Sequence, residues 1–447
     1  MLQEFQQHIQ KNFSFLKEKK LLIAVSGGID SVVLCDLLNK SQYSFSIAHC
    51  NFRLRGSESD KDEEFVKNLA KKIPQECFVK HFDTEVYANK KNISIQMAAR
   101  DLRYEWFDEL IQKKHFDYLL TAHHADDDLE TFLINFTRGT GLEGLTGIPA
   151  INDKKIRPLL PFSRNEIIIY AKEQNLKWRE DKTNAEIKYF RNKLRHEVIP
   201  VLKQLNPNLL TSFLQTIENL KGTKSIVFDR INKVEKEIKY INKEKVTQLD
   251  IHKIKSLNNP KAYLYEILKD YKFTEWDDIY DLLSAQSGKQ IFSKNHRLVK
   301  DRDHLLLSEI SNQIDDPELF KISDKQKDIV FNGLKIKIEE INNEVFKKEE
   351  YLINDTNHII FVDKDKLQFP LTVRKWEKGD YFYPFGMPGK KKLSKYFKDE
   401  KFSVLEKENI WLLCSLKEII WVINYRLDNR YKITDDTKTI LKFEIEK

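Results

Sequence analysis

Residues 21–38 read LLIAVSGGIDSVVLCDLL, the stretch that decides the fold of the N-terminal part of the chain. The apolar run LLIAV predicts a buried strand, and SVVLCDLL predicts the helix that follows it. Between them, the loop SGGIDS at residues 26–31 contains Gly27 and Gly28, which let backbone N–H groups turn toward a ligand and approach it closely. Because a helix N-terminus also attracts negative charge, the stretch predicts a strand–loop–helix unit that binds a pyrophosphate group.

An ordinary turn is the alternative interpretation of this loop, with Asp30 and Ser31 capping the helix. The loop lacks the Gly-Lys-Ser/Thr ending of the common P-loop, so the terminal phosphate need not be the group that is transferred. The surrounding sequence favours the binding site, because the loop stands between a strand and a helix.

Short apolar runs and helical stretches alternate from about residue 20 to residue 200, with further strands predicted at FSIAHC, ECFVKHF and YLLTAH. This alternation is typical of a doubly wound α/β fold with a parallel sheet and helices on both faces. We expect it to form a catalytic domain over residues 1–205. Ligands of such sheets bind at the carboxyl ends of the strands, where the polar motifs of this chain fall.

After about residue 205 the sequence no longer alternates between short apolar runs and helical stretches. Amphipathic patterns such as TSFLQTIENLKG predict a mainly helical middle domain over residues 206–312, which ends in the strand-like stretch HRLVKDRDHLLLSEI. A polar stretch over 313–350 predicts a linker and the start of another domain. Alternating strands such as HIIFVD and LTVRKW then predict a small α/β domain over 351–447.

Composition limits the classes of function. The 447 residues exceed one hydrophobic core, and the net charge of +7 permits nucleic-acid binding without requiring it. The four cysteines form no Cys-x-x-Cys pair, so neither a zinc ribbon nor a dithiol redox site is indicated, and a reducing cytoplasm is expected. Since the chain has no apolar run of about eighteen residues, we expect no membrane span.

Two basic motifs follow the first loop. AHCNFRLRG ends the second predicted strand and contributes His49, Asn51, Arg53 and Arg55; by itself such a segment is more often a solvated loop. MAARDLRY at residues 97–104 is predicted to be helical. Its Arg100 and Arg103 are three residues apart, so they share a face and are able to clamp phosphate oxygens together. The alternative is a surface helix stabilised by ion pairs.

The segment TAHHADDDLET at residues 121–131 closes a strand and opens a helix with three carboxylates, more than capping and dipole complementarity need. Asp127 and Glu130 are three residues apart and are able to hold Mg²⁺ or an ammonium group on one face. The following RGTGLEG contains a Gly-x-Gly-x-x-Gly pattern, but it comes after a helix rather than a strand, which argues against a dinucleotide site. Arg138 in this segment is a candidate phosphate contact.

Two further segments are rich in basic residues. RNKLR at 191–195 predicts a basic helix suited to RNA phosphates. Residues 374–401 hold nine Lys or Arg against four Asp or Glu, interleaved with aromatic residues, a composition typical of an RNA-contacting surface. The alternative for this last segment is a solvated lysine face over an aromatic core.

Taken in order, these motifs resemble those of one known family. SGGIDS resembles the SGGxDS signature of the PP-loop ATP pyrophosphatases, which cleave ATP between its α and β phosphates. The tRNA(Ile)-lysidine synthetase family has the further elements HxNHxLR, AARxxRY, HHxxDxxET, RGxGxxGLxG and, in its longer form, GxKKLxxxF. All are matched here, except that Phe52 stands where the second histidine of HxNHxLR is usual.

The resemblance implies ATP-dependent ligation of free lysine to carbon 2 of the wobble cytidine of a CAU-anticodon tRNA(Ile). ATP would adenylate the oxygen on carbon 2 and release pyrophosphate; the ε-amine of lysine would then displace AMP to give lysidine. The expected partners are ATP, Mg²⁺, L-lysine and this tRNA. A homodimer is a further possibility, and no membrane partner is expected.

The resemblance also implies roles for individual residues. Nucleotide binding is expected for Ser26, Gly27, Gly28, Ile29, Asp30, Ser31, His49, Arg100 and Arg103. Catalytic roles are expected for Asp30, Asp127, Glu130 and Arg138. Mg²⁺ is expected at Asp30 and Asp127. RNA contacts are expected for Arg191, Arg195, Lys390, Lys391, Lys392 and Lys395.

Three rival interpretations remain. A PP-loop tRNA thiolase would be expected to carry cysteine pairs for sulfur chemistry, and the sequence has none. An ATP-dependent amidotransferase would need a glutaminase nucleophile, for which no candidate stands out. An RNA-binding protein with a vestigial nucleotide site is a different class, against which the intact Asp30, Asp127 and Glu130 argue.

Overall fold

A computed structural model of the chain describes residues 1–180, 190–241, 246–310, 319–342 and 358–446. Its internal contacts divide the chain into two units, Met1–Asp229 and Arg230–Lys447. Within the described ranges, no helix has both the length and the apolar content needed to cross a membrane.

The first unit is built on a six-stranded sheet with the order β3-β2-β1-β4-β6-β5. Its strands are β1 (Leu21–Ala24), β2 (Phe45–Asn51), β3 (Cys77–His81), β4 (Tyr118–Leu120), β5 (Ile151–Asn152) and β6 (Lys155–Ile156). All neighbouring strands are parallel except the edge pair β5 and β6. The predicted parallel sheet is therefore confirmed.

Helices cover both faces of this sheet. The described helices from residue 1 to residue 238 are α1 (Leu2–Asn12), α2 (Ile29–Lys40), α3 (Ser57–Lys72), α4 (Thr84–Lys91), α5 (Ile95–Lys114), α6 (Ala125–Thr137), α7 (Leu142–Leu145), α8 (Arg164–Glu173), α9 (Phe190–Lys193), α10 (Ile199–Leu205) and α11 (Leu209–Ile238), of which α11 packs against α6 and α10 rather than on the sheet. Along β1, Leu21 and Ile23 pack in one buried cluster with α2 and α8. Leu22 packs in another cluster with Trp106 and Phe107 of α5. A strand buried on both faces explains the continuous apolar run LLIAV.

The order of the strands fixes where ligands bind. From β1 the chain adds β2 and β3 on one side, and it then returns to place β4 on the other side of β1. The loops after β1 and β4 consequently lie on either side of a crevice at the carboxyl ends of these strands, the usual ligand position in open α/β sheets. The motifs SGGIDS and HHADDDLET occupy these two loops.

The chain after α11 first forms a five-stranded antiparallel sheet with the order β7-β8-β11-β10-β9. Its strands are β7 (Lys239–Ile241), β8 (Thr247–Asp250), β9 (Gln290–Phe292), β10 (His296–Asp301) and β11 (His304–Glu309). Three helices accompany them, namely α12 (Ile251–Lys255), α13 (Pro260–Leu268) and α14 (Trp276–Asp281). The sequence predicted a mainly helical region that ends in a strand-like stretch, and this stretch forms β10 and β11. The structure adds β7, β8 and β9, which the sequence reading did not identify as strands.

The C-terminal region consists mainly of two antiparallel sheets, β12-β16-β19-β20-β21 and β13-β14-β22-β15, with a small pair β17-β18. The strands are β12 (Phe320–Ile322), β13 (Asp328–Phe331), β14 (Leu334–Asn342), β15 (Ile359–Asp363), β16 (Leu371–Lys375), β17 (Tyr381–Phe382), β18 (Lys391–Lys392), β19 (Trp411–Ser415), β20 (Glu418–Val422), β21 (Arg426–Leu427) and β22 (Thr439–Glu446). Within its described residues, helices are found at α15 (Leu393–Asp399) and α16 (Val404–Glu408). The described part of the segment predicted as a linker, residues 319–342, forms β12, β13 and β14.

One apolar core is shared by the two C-terminal sheets. It includes Phe331 and Phe443 from one sheet and Trp411 and Trp421 from the other. The sequence predicted that the C-terminal domain begins at residue 351. Because strands from residues 320–342 contribute to this core, the C-terminal region begins earlier in the chain than predicted.

Candidate active site

The loop after β1 has the geometry of an anion site. Gly27 has a φ of +91°, and a Cβ atom placed there would lie 3.5 Å from Phe65 and 3.6 Å from Val66. Ser31 Oγ donates to the carbonyl oxygen of Gly28 at 2.9 Å. Gly28 is the N-cap of α2, and no side chain caps this helix. The capping alternative for Asp30 and Ser31 is therefore wrong. The Gly28 N–H donates to Ser26 Oγ at 3.3 Å, and the start of α2, which no side chain caps, borders the larger cavity through Gly28 and Ile29.

His49 supports this loop from behind. Its Nδ1 donates to the carbonyl oxygen of Val25 at 2.8 Å, directly before the loop. The ring is buried, which lowers the pKa of the imidazole. Neighbouring Asn51 is also buried and donates to Glu63 at 2.8 Å, which ties β2 to α3. The structure thus places His49 in the frame of the loop rather than on the wall of a cavity.

The second loop begins α6 with His124 as its N-cap. The backbone N–H of Asp127 donates to His124 Nδ1 at 3.4 Å, and the backbone N–H of His124 donates to Asp127 Oδ2 at 3.1 Å. His124 Nε2 lies 3.4 Å from Asp127 Oδ2 and 3.7 Å from Asp30 Oδ1. One imidazole therefore lies against carboxylates from both loops, a role that the sequence prediction did not assign to it.

Glu130 lies one turn further along α6 and is only 1% exposed. Arg195 donates to both of its carboxylate oxygens, at 2.6 Å and 2.9 Å. Arg191 Nε donates to Glu130 Oε2 at 2.8 Å. Arg195 belongs to a π-helical turn, Leu194–Val198, a feature that is frequent at functional sites. The basic segment predicted to face RNA therefore directs two of its guanidinium groups at a buried carboxylate.

Arg164 and Asp126 complete the connection between the loops, and sequence reasoning missed both. Arg164 Nη1 lies 3.0 Å and 3.2 Å from the two carboxylate oxygens of Asp30. The backbone N–H of Arg164 donates to Asp126 Oδ2 at 2.8 Å, and Lys203 Nζ donates to Asp126 Oδ1 at 2.7 Å. Burial opposes ionisation of Asp126, but these donors lower the pKa of its carboxyl group.

Two cavities open at this crevice. The smaller, of about 270 Å³, has apolar walls formed by Ala24, Ala48, Phe52 and Phe107. The larger, of about 1030 Å³, is lined by several basic side chains, namely Arg55, Arg164, Lys172, Arg179 and Arg195. Four residues line both cavities: Ser26, Asp30, Arg103 and Asp127. A cavity with a mixed apolar and polar lining thus adjoins a more basic one, and the predicted residues Asp30, Arg103 and Asp127 lie at their junction.

His123 also lines the smaller cavity, with its Nδ1 2.9 Å from the hydroxyl oxygen of Thr121. Burial lowers the pKa of this imidazole to about 4, although Asp127 opposes the change. The ring is therefore neutral near pH 7 and is able to accept or donate a hydrogen bond without adding charge.

Two predicted phosphate contacts lie outside both cavities. The guanidinium carbon of Arg100 lies 5.1 Å from the centroid of the Tyr104 ring, on the exposed side of α5. Arg138 follows the C-terminal end of α6 and is eleven residues from Asp127, about 16 Å at a helical rise of about 1.5 Å per residue. The structure does not bring Arg100 or Arg138 to the junction, and their roles stay predictions.

Asp30 and Asp127 fit a magnesium ion that arrives together with a nucleotide. Mg²⁺ in phosphoryl-transfer sites is usually held by one or two carboxylates and the substrate phosphates, with water completing its shell. Both carboxylates line both cavities, beside the N–H groups of the loop. Within the described ranges, no cluster of three or more His, Cys, Asp or Glu side chains is arranged to hold a metal by itself.

Comparison with known proteins identifies the family. A PP-loop domain model matches residues 1–202, a TilS substrate binding domain model matches 242–310, and a TilS substrate C-terminal domain model matches 371–444. The tRNA(Ile)-lysidine synthase of Parabacteroides distasonis is 37% identical over 443 residues, covering 99% of each chain. The chain belongs to the tRNA(Ile)-lysidine synthase family.

Other members of the tRNA(Ile)-lysidine synthase family are similar over their whole length. The protein of that name from Clostridium tetani is 32% identical over 453 residues, covering 96% of this chain and 95% of that relative. Among solved structures, the U34-tRNA thiolase NcsA from Methanococcus maripaludis is similar at a TM-score of 0.41 and 21% identity, covering 49% of this chain and 79% of that chain.

The lysines predicted to bind RNA in this lysidine synthase homologue differ in their surroundings. Lys390 Nζ lies 3.4 Å from the centroid of the exposed Tyr381 ring. Lys391 pairs with Asp399 at 2.8 Å, whereas Lys392 and Lys395 are exposed.

Several aromatic rings of the same segment are not available to stack on bases. Phe382, Tyr396 and Phe397 are at most 2% exposed and belong to a buried cluster. For these rings the alternative of an aromatic core beneath a lysine face is correct. Any stacking surface of the segment is therefore limited to exposed rings such as Tyr381.

Proposed function

We propose that this chain is an ATP-dependent ligase that joins free lysine to carbon 2 of the wobble cytidine of a CAU-anticodon tRNA(Ile). The observation that carries the proposal is the junction at the sheet, where Asp30 of the first loop and Asp127 of the second line the same two cavities as Arg103. This arrangement supports transfer of AMP from ATP to a second substrate in the crevice.

The two cavities suit the two parts of ATP. The smaller has apolar side chains such as Phe52 and Phe107 beside polar ones and suits the adenosine, while the backbone N–H groups of the loop and the start of α2 suit the β and γ phosphates. Arg103 then lies near the α phosphate, because it lines both cavities. Asp30 and Asp127 would hold Mg²⁺, which when bound helps to neutralise the phosphate charge.

In the first step, the oxygen on carbon 2 of the cytosine attacks the α phosphorus, and the bond to the pyrophosphate oxygen breaks. Pyrophosphate leaves with its negative charge, which the loop N–H groups and the basic side chains of the larger cavity stabilise. In the second step, the ε-amine of lysine attacks carbon 2, AMP leaves with the oxygen, and the new secondary amine loses a proton. The product is lysidine.

The remaining predicted residues receive supporting roles. Asp127 would contact the lysine amine beside the base. The guanidinium groups of Arg191 and Arg195 donate to Glu130 at 2.6–2.9 Å. Glu130 would therefore hold in place the two arginines, which line the smaller and the larger cavity respectively. Exposed Lys392 and Lys395 would contact tRNA phosphates. The domain boundaries at residues 205 and 312 and a homodimer stay predictions.

Purified protein incubated with ATP, radiolabelled lysine and CAU-anticodon tRNA(Ile) tests the proposal. We expect label in the RNA, with one AMP and one pyrophosphate released per lysine. Asp127→Asn is expected to abolish labelling, and the same tRNA with a CAC anticodon should remain unlabelled. Transfer of label without RNA, or sulfur incorporation from a sulfide donor in place of lysine, would contradict the proposal.

A further inference from the structure

The residue that departs from the family pattern lies in the smaller cavity. Phe52 occupies the position where the HxNHxLR element has its second histidine, and its ring lines the cavity wall. It stacks on the Phe82 ring, with centroids 5.5 Å apart and planes at 22°. Phe82 in turn meets Trp106 edge to face at 6.1 Å. The Phe52 ring is therefore held in one orientation by a row of aromatic rings.

Arg103 lies over the face of this ring. Its guanidinium carbon is 5.3 Å from the Phe52 centroid, within the range of a cation–π interaction. Trp106 and Arg103 are three residues apart on α5, so the helix that carries the guanidinium also packs against the aromatic row that supports its partner.

Arg103 has no hydrogen bond or ion pair from its guanidinium within the ranges that the structure describes. A long side chain without such contacts populates several rotamers, and ordering it opposes binding by up to about 2 kcal/mol. The aromatic face restricts these rotamers and leaves all five N–H donors free for phosphate oxygens. A histidine at position 52 would compete with Arg103 for phosphate oxygens as a hydrogen-bond donor. When protonated, it would also repel the Arg103 guanidinium.

We propose that Phe52 is a positioning residue that holds the Arg103 guanidinium at the junction of the two cavities, ready for the α phosphate. The inference rests on the proposed function, because the junction is the position assigned there to the α phosphate. Charge on the non-bridging oxygens of this phosphate changes most as pyrophosphate leaves. The Phe52–Arg103 pair is therefore expected to affect kcat more than the affinity for ATP.

A double-mutant cycle tests this assignment. Phe52→Leu keeps the apolar volume and removes the ring, Phe52→Tyr keeps the ring, and Arg103→Met removes the charge. We expect Phe52→Leu to lower kcat for lysidine formation by about 2- to 30-fold, the range of one cation–π contact, with KM for ATP changed less than twofold. Phe52→Tyr should restore most of kcat. In the Arg103→Met background, Phe52→Leu should cause no further loss.

Phe78→Leu is the matched control, because Phe78 belongs to the same apolar cluster and has Lys114 Nζ 5.4 Å from its ring centroid but lines neither cavity. Its kcat should equal that of the parent, and thermal melting verifies that each variant is folded. Equal losses from Phe52→Leu with and without Arg103, or a Phe52→Tyr variant as slow as Phe52→Leu, would overturn the inference. A parent protein that makes no lysidine would instead refute the proposed function.

Discussion

The Arg164 guanidinium contacts both carboxylate oxygens of Asp30, at 3.0 Å and 3.2 Å, across 134 residues of sequence. Arg164 opens α8, and its backbone N–H is bound by Asp126 at the start of α6. The Asp30 carboxylate, in the loop after β1, is thus oriented by Arg164 of α8, which is itself held by Asp126 of α6. The site is a connected network, in which the loop, α6 and α8 hold each other in place.

Replacing Asp30 by Asn should affect chemistry more than folding, because the carboxylate lines both cavities and the amide still accepts a hydrogen bond from Arg164. Asp30→Asn keeps the size and an acceptor for Arg164 but removes the charge. We expect kcat/KM for ATP to fall by about 100- to 1000-fold, as for other groups that stabilise charge in a reaction. Steady-state measurement of pyrophosphate release checks this.

Asp36→Asn is the matched control for Asp30. Asp36 lies on the same helix α2, where it accepts from the Tyr170 hydroxyl at 2.7 Å, and it lines neither cavity. Its activity should stay within threefold of the parent, a bound of about 0.7 kcal/mol. If both variants are equally inactive, the loss reflects α2 as a whole rather than the carboxylate of Asp30.

Replacing Gly27 by Ala should lower the stability of the protein, whereas replacing Gly222 by Ala should raise it. Gly27→Ala forces a side chain to adopt a φ of +91°, 3.5 Å from Phe65. We expect it to destabilise the protein by about 1–2 kcal/mol and to weaken ATP binding, because the loop N–H groups shift.

Gly222→Ala should instead stabilise the protein by up to about 1 kcal/mol, since Gly222 lies within α11 and nothing stands within 4 Å of the added carbon. Thermal melting and equilibrium dialysis with ATP measure both variants. A Gly27→Ala protein with parental ATP affinity would show that the loop is not the phosphate site.

The sequence predicted the sheet and its two loops because these depend on local patterns. The run LLIAV and the glycines after it determine a buried strand and a turn without reference to the rest of the chain. Because the carboxyl ends of parallel strands lie at the same edge of a sheet, the motifs after β1 and β4 were correctly expected at one edge.

Contacts between distant residues could not be predicted in this way. Arg164 and Asp30 meet only after folding, and nothing in the segment around Arg164 marks it as a partner of the loop. Arg195 was predicted to face RNA because basic residues at helical spacing are usually exposed, whereas the buried Glu130, 65 residues earlier, draws it inward. In the C-terminal region, aromatic residues beside lysines gave no sign of which rings the core would enclose.

Charge removal should separate residues that contact RNA from residues that build the site. Lys395 is exposed, so Lys395→Ala should weaken tRNA binding and lower the slope of log Kd against log salt by about 1, as expected for one lost phosphate contact. Arg195→Met should leave this slope unchanged and lower turnover, because its guanidinium is bound to Glu130.

Filter binding of tRNA at several salt concentrations, with turnover measured in parallel, distinguishes the two variants. A salt slope that falls for Arg195→Met and stays constant for Lys395→Ala would reverse the assignment of both residues.

Asp128 should make the stability of the protein depend on pH. Burial raises the pKa of its carboxyl group from the usual 3.8 to about 6, although the backbone N–H of Ile148 donates to it. Between about pH 4 and pH 6 the folded state therefore holds a proton that the unfolded state has lost. Stability falls as pH rises through this window and is then constant.

Asp128→Asn keeps an acceptor for Ile148 and removes the ionisation. We expect the variant and the parent to be equally stable at pH 4, and the variant to be more stable by up to about 3 kcal/mol above pH 6. Denaturant unfolding of both proteins at pH 4, 5, 6 and 7.5 measures the difference. If the difference in stability between variant and parent is the same at every pH, it comes from packing and not from the proton on Asp128. The packing in question is against Gly147, which lies so close to the Asp128 carboxylate that a Cβ atom there would collide with it.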